Sequence, residues 1–259
     1  MVRKLYNLIP ELLQEWLKLK YYNFRIKGFS FYLDKDIYCS TDNKSWRIFT
    51  NTPLYFIVKD VNRYEKLYKV SKGDWVIDAG ANEGILTLIY SKKVSSSGKV
   101  YAFEPDKINI KLFYNNLSLN ENTSNIKLLE KCLWNKTDTI DFYESGTVGS
   151  SVFCQDEKSA KKIILAISID DFVASEKINK LDFIKMDIEG AEIKALEGAR
   201  NTILSLKPHL TIASYHIVEN EVTYKKVEEF FTEMNYPYKT IFYEDGEIIT
   251  YAGSTLKGI

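Results

Sequence analysis

The stretch Trp75-Val76-Ile77-Asp78-Ala79-Gly80-Ala81-Asn82-Glu83-Gly84-Ile85-Leu86-Thr87-Leu88-Ile89 decides the fold. Trp75 to Ile77 is a short apolar run, it closes on a glycine-containing turn, and Ile85, Leu86, Leu88 and Ile89 then recur at helical spacing. The reading is strand, glycine turn, helix. Ser95 to Gly98 follows as a polar loop, and Lys99 to Phe103 reads as a second strand ending on Glu104 and Pro105. This completes a βαβ unit and predicts a Rossmann-like α/β domain with a mainly parallel sheet.

Outward from this unit the alternation continues. The pattern predicts a helix from Lys107 to Leu119, a strand at Ile126 to Glu130, and strands at Ile140 to Tyr143 and Ile163 to Ile167 around a Gly/Ser stretch from Ser145 to Ser151. Phe183 to Met186 reads as a buried strand, Ala191 to Ser205 as one helix stopping before Pro208, and His209 to Ala213 as a further strand. After a helix from Val222 to Met234, Tyr238 to Tyr243 and Glu247 to Tyr251 flank Glu244-Asp245-Gly246, a turn signal for a hairpin that adds an antiparallel edge strand. Before Val70 only short strand-like runs appear, at Phe29 to Leu33 and Leu54 to Val58. The expected organisation is an extension or cap over 1–62 and a cofactor-binding domain over 63–259.

Composition narrows the class. Apolar residues make up 45% and charged residues 27%, the balance of a chain that buries a core. Basic and acidic residues are equal at 35 each, so no overall field selects nucleic acid as the partner. Cys39, Cys132 and Cys154 are odd in number and lack the spacing of a zinc site, which favours a reducing compartment. The apolar N-terminal stretch is interrupted by Pro10, Glu11 and Glu15, so neither a signal-peptide core nor a membrane span is expected, and the expected location is the cytoplasm. Leu5, Leu8, Ile9, Leu12, Leu13, Trp16 and Leu17 still recur near a helical period, predicting an amphipathic helix that meets the domain, a partner subunit or a membrane surface.

The chemistry concentrates at the predicted strand ends. Gly80 and Gly84 let the backbone turn tightly and approach a ligand. Their Gly-x-x-x-Gly spacing departs from the Gly-x-Gly-x-x-Gly of pyrophosphate-binding enzymes, and Asp78 before the turn would repel a diphosphate. Asp78 is read either as a loop-capping acid or as an acceptor, through water, from a ligand ammonium group. Glu104, 24 residues beyond Gly80, stands where an acid accepts both hydroxyls of a ribose. Glycine turn and ribose acid together predict a nucleoside site.

These residues resemble the FkbM-type S-adenosylmethionine-dependent methyltransferases. The resemblance rests on Asp78-Ala79-Gly80-Ala81-Asn82-Glu83-Gly84, on Ala102-Phe103-Glu104-Pro105, on Asn116 and Asn120, on Lys185-Met186-Asp187-Ile188-Glu189-Gly190-Ala191-Glu192, and on Leu196-Glu197-Gly198-Ala199. It covers about residues 65 to 216 and leaves the stretch before Asn62 outside it. It implies a class I methyltransferase fold and O-methylation of a hydroxyl on a sugar, glycolipid or secondary metabolite, with S-adenosylmethionine as cofactor and a small-molecule or glycan acceptor as partner. Carried onto this chain, Asp78, Gly80, Asn82 and Gly84 line the methionine and ribose side, and Glu104 holds the ribose. Phe103, Pro105, Cys132 and Leu133 are placed around the adenine, with ordinary core packing as the alternative.

Asp187, Glu189 and Glu192 follow a predicted strand that empties into the same crevice. They are candidates to orient an acceptor hydroxyl, to act as base, or to bind a divalent cation through oxygen ligands, although a helix N-terminus also favours such charges. His216 follows the next strand and is expected to open into the cleft, titrating near neutrality as a base for the acceptor. His209, at the start of that strand, is expected to be structural. The rival readings are an NAD-dependent oxidoreductase on a similar fold and a non-catalytic Rossmann-like binding module.

Overall fold

The structure, a computed structural model, describes residues 10–144 and 160–256. Leu5, Leu8, Ile9, the Ser145 to Ser151 stretch and Cys154 lie outside them. The chain divides into two compact units, Met1–Val61 and Asn62–Ile259. In the first, helix α1 (Glu11–Arg25) precedes an antiparallel sheet of β1 (Ser30–Asp34), β2 (Ile37–Thr41) and β3 (Arg47–Thr50). Phe31 and Ile48 are buried on one face, and Tyr22 stacks on Tyr55 with ring centroids 3.9 Å apart. The run at Leu54 to Val58 is not a strand. It is a turn, with Ile57 N donating to Leu54 O, that leads into helix α2 (Ile57–Tyr64). Ile57, Val61 and Tyr64 are its buried residues, and their spacing is helical.

In the second unit, β4 (Trp75–Ala79), α3 (Ile85–Val94), β5 (Lys99–Phe103), α4 (Lys107–Ser118) and β6 (Ile126–Leu129) form the predicted alternation. Asp106 caps α4, its side chain accepting from Ile108 N and Asn109 N. A small sheet of β7 (Cys132–Leu133), β8 (Asp138–Glu144) and β9 (Ala160–Ile167) comes next, then α5 (Ile169–Ser175) and β10 (Phe183–Met186). The predicted strands at Ile140 to Tyr143 and Ile163 to Ile167 therefore pair with each other outside the main sheet. α6 (Glu192–Glu197), α7 (Arg200–Leu206), β11 (His209–Ala213), the short pair β12 (Ile217–Val218) and β13 (Glu221–Val222), α8 (Tyr224–Glu233), β14 (Tyr238–Phe242) and β15 (Ile248–Ala252) complete it.

The single helix expected over Ala191 to Ser205 is two helices. Gly198 separates them because a Cβ there would lie 2.3 Å from Trp134 O, and Gly198 O accepts from Asp170 N at 2.8 Å instead of continuing the helical ladder.

Among the described residues the main sheet has seven strands in the order β14-β15-β11-β10-β4-β5-β6, a Rossmann-like arrangement. β15 is antiparallel to both its neighbours, β14 and β11. The reversed strand is thus one place in from the edge, not at it. β14 takes the edge because the hairpin must carry the chain past β15's slot before it returns. Both sheet faces are covered. Ile77, Ile184, Met186 and Ile212 pack with Leu196 and Phe231 on one side, and Val76, Val100 and Phe183 pack with Tyr90 and Val94 on the other.

Phe103, Ala79, Met186 and Ile212 form one registered row across β5, β4, β10 and β11. Glu104, Gly80 and Asp187 are each the next residue in their chains. β4 neighbours β5 on one side and β10 on the other, so the crevice beyond these ends is a topological switch point.

Candidate active site

The Gly80 turn is shaped by the protein's own packing. Gly80, Asn82 and Gly84 have φ values of 75°, 50° and 82°, all left-handed. A Cβ on Gly80 would lie 1.8 Å from Asp187 O, and one on Gly84 would lie 2.5 Å from the Phe113 ring. Close approach is therefore needed first between the β4 and β10 loops, and between α3 and α4. Gly80 N and Ala81 N both donate to Phe103 O, which ties the turn to the end of β5.

Glu104 closes this cradle. Its Oε2 accepts from Asn82 N at 2.7 Å, and its Oε1 accepts from Asp106 N at 3.0 Å. Burial pushes the carboxyl up, and the amides of Asp106 and Asn82 pull it back toward the ionised form. Each carboxylate oxygen takes more than one hydrogen bond, so a diol remains compatible with the acid as held. Phe103 and Leu133 are buried in the main core, Phe103 edge-on to Phe172, and Pro105 is half-buried. Cys132 is buried beside Glu104, and burial followed by the Glu104 charge pushes its thiol up to about 12.

Asp78 points into the protein. Fully buried, it accepts from Thr87 Oγ1 at 2.6 Å and lies 3.2 Å from Lys185 Nζ. Lys185 Nζ also donates to Gly80 O at 2.7 Å and to Ala79 O at 3.1 Å. Burial disfavours its charge, but Asp78 and then Asp187 outweigh that and hold the ammonium above its ordinary range. Lys185 was visible in the sequence only as part of a motif. A lysine inside an otherwise apolar strand, Phe-Ile-Lys-Met, was the signal that it has a buried partner.

On the other side of the Gly80 turn, the β10 and β11 loops gather four of the predicted residues. Asp187 Oδ2 accepts from the Tyr64 hydroxyl at 2.7 Å, and its Oδ1 lies 3.5 Å from His216 Nε2. Glu189, in left-handed backbone at φ 55°, brings Oε2 to 3.5 Å from the same nitrogen. Glu192 is fully buried. Its Oε1 accepts from Ile188 N and Gly190 N of the preceding loop and lies 3.1 Å from His216 Nδ1. Tyr215 places its ring 4.3 Å from that of His216, and burial with the charges of Asp187 and Glu189 raises its hydroxyl.

The electrostatics here differ from the sequence expectation. Burial favours the neutral His216 ring, but Glu192, Asp187 and Glu189 together outweigh it and raise the imidazolium to about 9, well away from neutrality. Glu189 instead moves into that range. Burial lifts it to about 7, His216 opposing and Asp187 and Glu192 adding to the rise. Among the described residues, Asp187, Glu192 and His216 each offer a metal-ligand atom within 4.8 Å of the others, so the candidate ligand set includes a nitrogen that the sequence reading left out. Tyr64 was missed because it lies 123 residues before Asp187. His209 stacks on Tyr68 with ring centroids 4.3 Å apart, at the opposite end of β11 from His216.

The profile of the Methyltransferase FkbM domain matches residues 78–238, from the Gly80 turn through the β10 and β11 loops into β14. The chain belongs to the FkbM methyltransferase family. Within named methyltransferases, it is 24% identical over 190 residues to Methyltransferase sdnD of Sordaria araneosa, covering 61% of this chain and 73% of that protein. It is 25% identical over 168 residues to Methyltransferase 1 of Beauveria bassiana (strain ARSEF 2860), covering 55% and 66%. The crystal structure of Methyltransferase FkbM from Methylobacillus flagellatus KT superposes with a TM-score of 0.54 at 22% identity. That match covers 73% of this chain but only 45% of the other, so this family member spans less than half the length of its solved relative. Among the described residues, no helix is long and apolar enough to cross a membrane.

Proposed function

We propose that the chain transfers a methyl group from S-adenosylmethionine to a hydroxyl oxygen of a small-molecule or glycan acceptor. The observation that carries this reading is the Gly80–Gly84 turn closed onto Glu104 by the Asn82 amide, next to the acid and histidine cluster at the ends of β10 and β11. A nucleoside acid and a hydroxyl-orienting cluster thus flank one crevice.

The residues present fit the cofactor. Glu104 accepts from Asn82 N at Oε2 and from Asp106 N and Asn109 Nδ2 at Oε1, which leaves Oε2 with capacity for a further donor. When bound, the cofactor supplies an electrophilic methyl group on a sulfonium. Glu104 orients the ribose, and Lys185 fixes the Gly80 carbonyl and so the path of the turn. Asp187 and Glu189 face the acceptor side, where they align its hydroxyl with the methyl group. With the cofactor bound, this carboxylate cluster would take the proton that the acceptor hydroxyl gives up on methylation.

Calorimetry with S-adenosylhomocysteine tests the nucleoside half, and labelled methyl transfer into an acceptor extract tests the rest. A labelled product whose methyl resists mild base and sits on oxygen supports the reading. No cofactor binding to the folded protein, or a label on nitrogen or carbon alone, overturns it.

A further inference from the structure

We propose that Asp187, Glu192 and His216 form a binding site for a divalent first-row transition-metal ion. The His216 side chain is only 9% exposed and Glu192 is fully buried. Yet Asp187 Oδ1, Glu192 Oε2, His216 Nδ1 and His216 Nε2 are buried without a hydrogen-bond partner among the described residues. Buried groups without a well-aligned hydrogen bond are rare in a folded protein, and here only ion-pair contacts of 3.1 to 3.5 Å to the neighbouring carboxylates relieve the ring, which leaves capacity for an occupant. These groups converge.

The imidazole stands 3.1 Å from Glu192 Oε1 and 3.5 Å from Asp187 Oδ1, and one ligand atom from each residue lies within 4.8 Å of the others. The two distances belong to opposite nitrogens of the ring, only one of which meets a given ion. Two ligands of one ion at ~2.1 Å in tetrahedral geometry sit about 3.4 Å apart, so the three side chains close in from their 4.8 Å spread on binding. Two carboxylates and an imidazole that gives up its proton to the incoming ion balance the charge of a dication. One nitrogen with two oxygens suits manganese, iron or zinc better than magnesium, which prefers oxygen and retains its water. Glu189 Oε2, 3.5 Å from His216 Nε2, adds negative charge at the rim. The Asp187 carboxylate is aimed by Tyr64, and the Glu192 carboxylate by the amides of Ile188 and Gly190, so the ligands are oriented before any ion arrives.

The site goes beyond methyl transfer and is tested without it. The full chain is stripped with chelator and titrated with Mn²⁺, read by loss of the free-ion paramagnetic resonance signal. One site per chain is expected. Asp187→Asn and His216→Asn each weaken it on the order of 10-fold or more. Electron-spin-echo spectroscopy of the wild-type Mn²⁺ complex should show coupling to an imidazole nitrogen, a readout that needs no variant. His209 is the only other histidine in the chain, so His209→Asn should retain the coupling. Absence of Mn²⁺ and Zn²⁺ binding at millimolar concentration, unchanged affinity in folded variants, or no nitrogen coupling overturns the proposal. Binding of S-adenosylhomocysteine is measured on the same preparations, so failure of the metal site and failure of the nucleoside site are read separately.

Discussion

Replacing Lys185 by Met should cost this protein more stability than most single changes, and the cause is the charge it leaves behind. The methionine keeps the apolar stem within β10, so packing is largely retained. What disappears is the ammonium that lies 3.2 Å from Asp78 and donates to Ala79 O and Gly80 O, in a pair whose side chains are 4% and 0% exposed. Removing one partner of a buried ion pair typically costs about 3–5 kcal/mol, because the other charge remains desolvated. For a unit of this size each kcal/mol moves the melting temperature by roughly 2–4 °C, so the drop should be on the order of 6–20 °C. Asp78→Asn in the same background removes the stranded charge while keeping an acceptor for Thr87 Oγ1, and should recover about 0.5–3 kcal/mol of the loss. Urea unfolding of the four proteins gives the coupling, and calorimetry with S-adenosylhomocysteine reports whether the Gly80 carbonyl has moved. A Lys185→Met protein within about 0.5 kcal/mol of wild type, or a double mutant whose losses simply add, would refute the reasoning.

Three further outcomes follow from the same geometry. Glu104→Ala should weaken S-adenosylhomocysteine by roughly 1.5–3 kcal/mol, the cost of a charge-assisted contact, and equal affinity in calorimetry would remove Glu104 from the ribose. Gly84→Ala, whose Cβ meets the Phe113 ring at 2.5 Å, should lose about 1–3 kcal/mol more than Gly246→Ala, which has the same backbone hand but nothing within 4 Å. Equal losses in urea unfolding would mean that φ alone matters at Gly84. Cys132, buried with its thiol at about 12, should resist iodoacetamide at pH 8 in the native protein, while the half-exposed Cys39 reacts first. Peptide mapping that finds Cys132 alkylated before unfolding contradicts the placement beside Glu104.

Much of the main sheet was readable because its signals are local. Trp75 to Ile89 contains a strand, a glycine turn and a helix within fifteen residues, and Glu104 follows at the end of the next strand. Local signals also misled. The apolar run at Leu54 to Val58 has no strand periodicity of its own, and the buried spacing of Ile57, Val61 and Tyr64 decides for a helix. Ala191 to Ser205 has helical periodicity throughout, yet Gly198 breaks it where the Trp134 backbone approaches, a contact made across 64 residues of chain.

The sequence alone determined the α/β alternation, the family and the cluster of acids after β10, because each lies in a short contiguous run whose periodicity or residue types are set by neighbours in the chain. The tertiary structure decided what those residues do to one another. Only the pairing of β10 with β4 sets Asp187 O where Gly80 must lack a Cβ, and sets Lys185 against Asp78. Only the neighbouring position of β11 brings His216 among Asp187, Glu189 and Glu192, so that three carboxylates rather than water set its charge. Burial and proximity are properties of pairs distant in sequence, and a pKa or a ligand set is made from them.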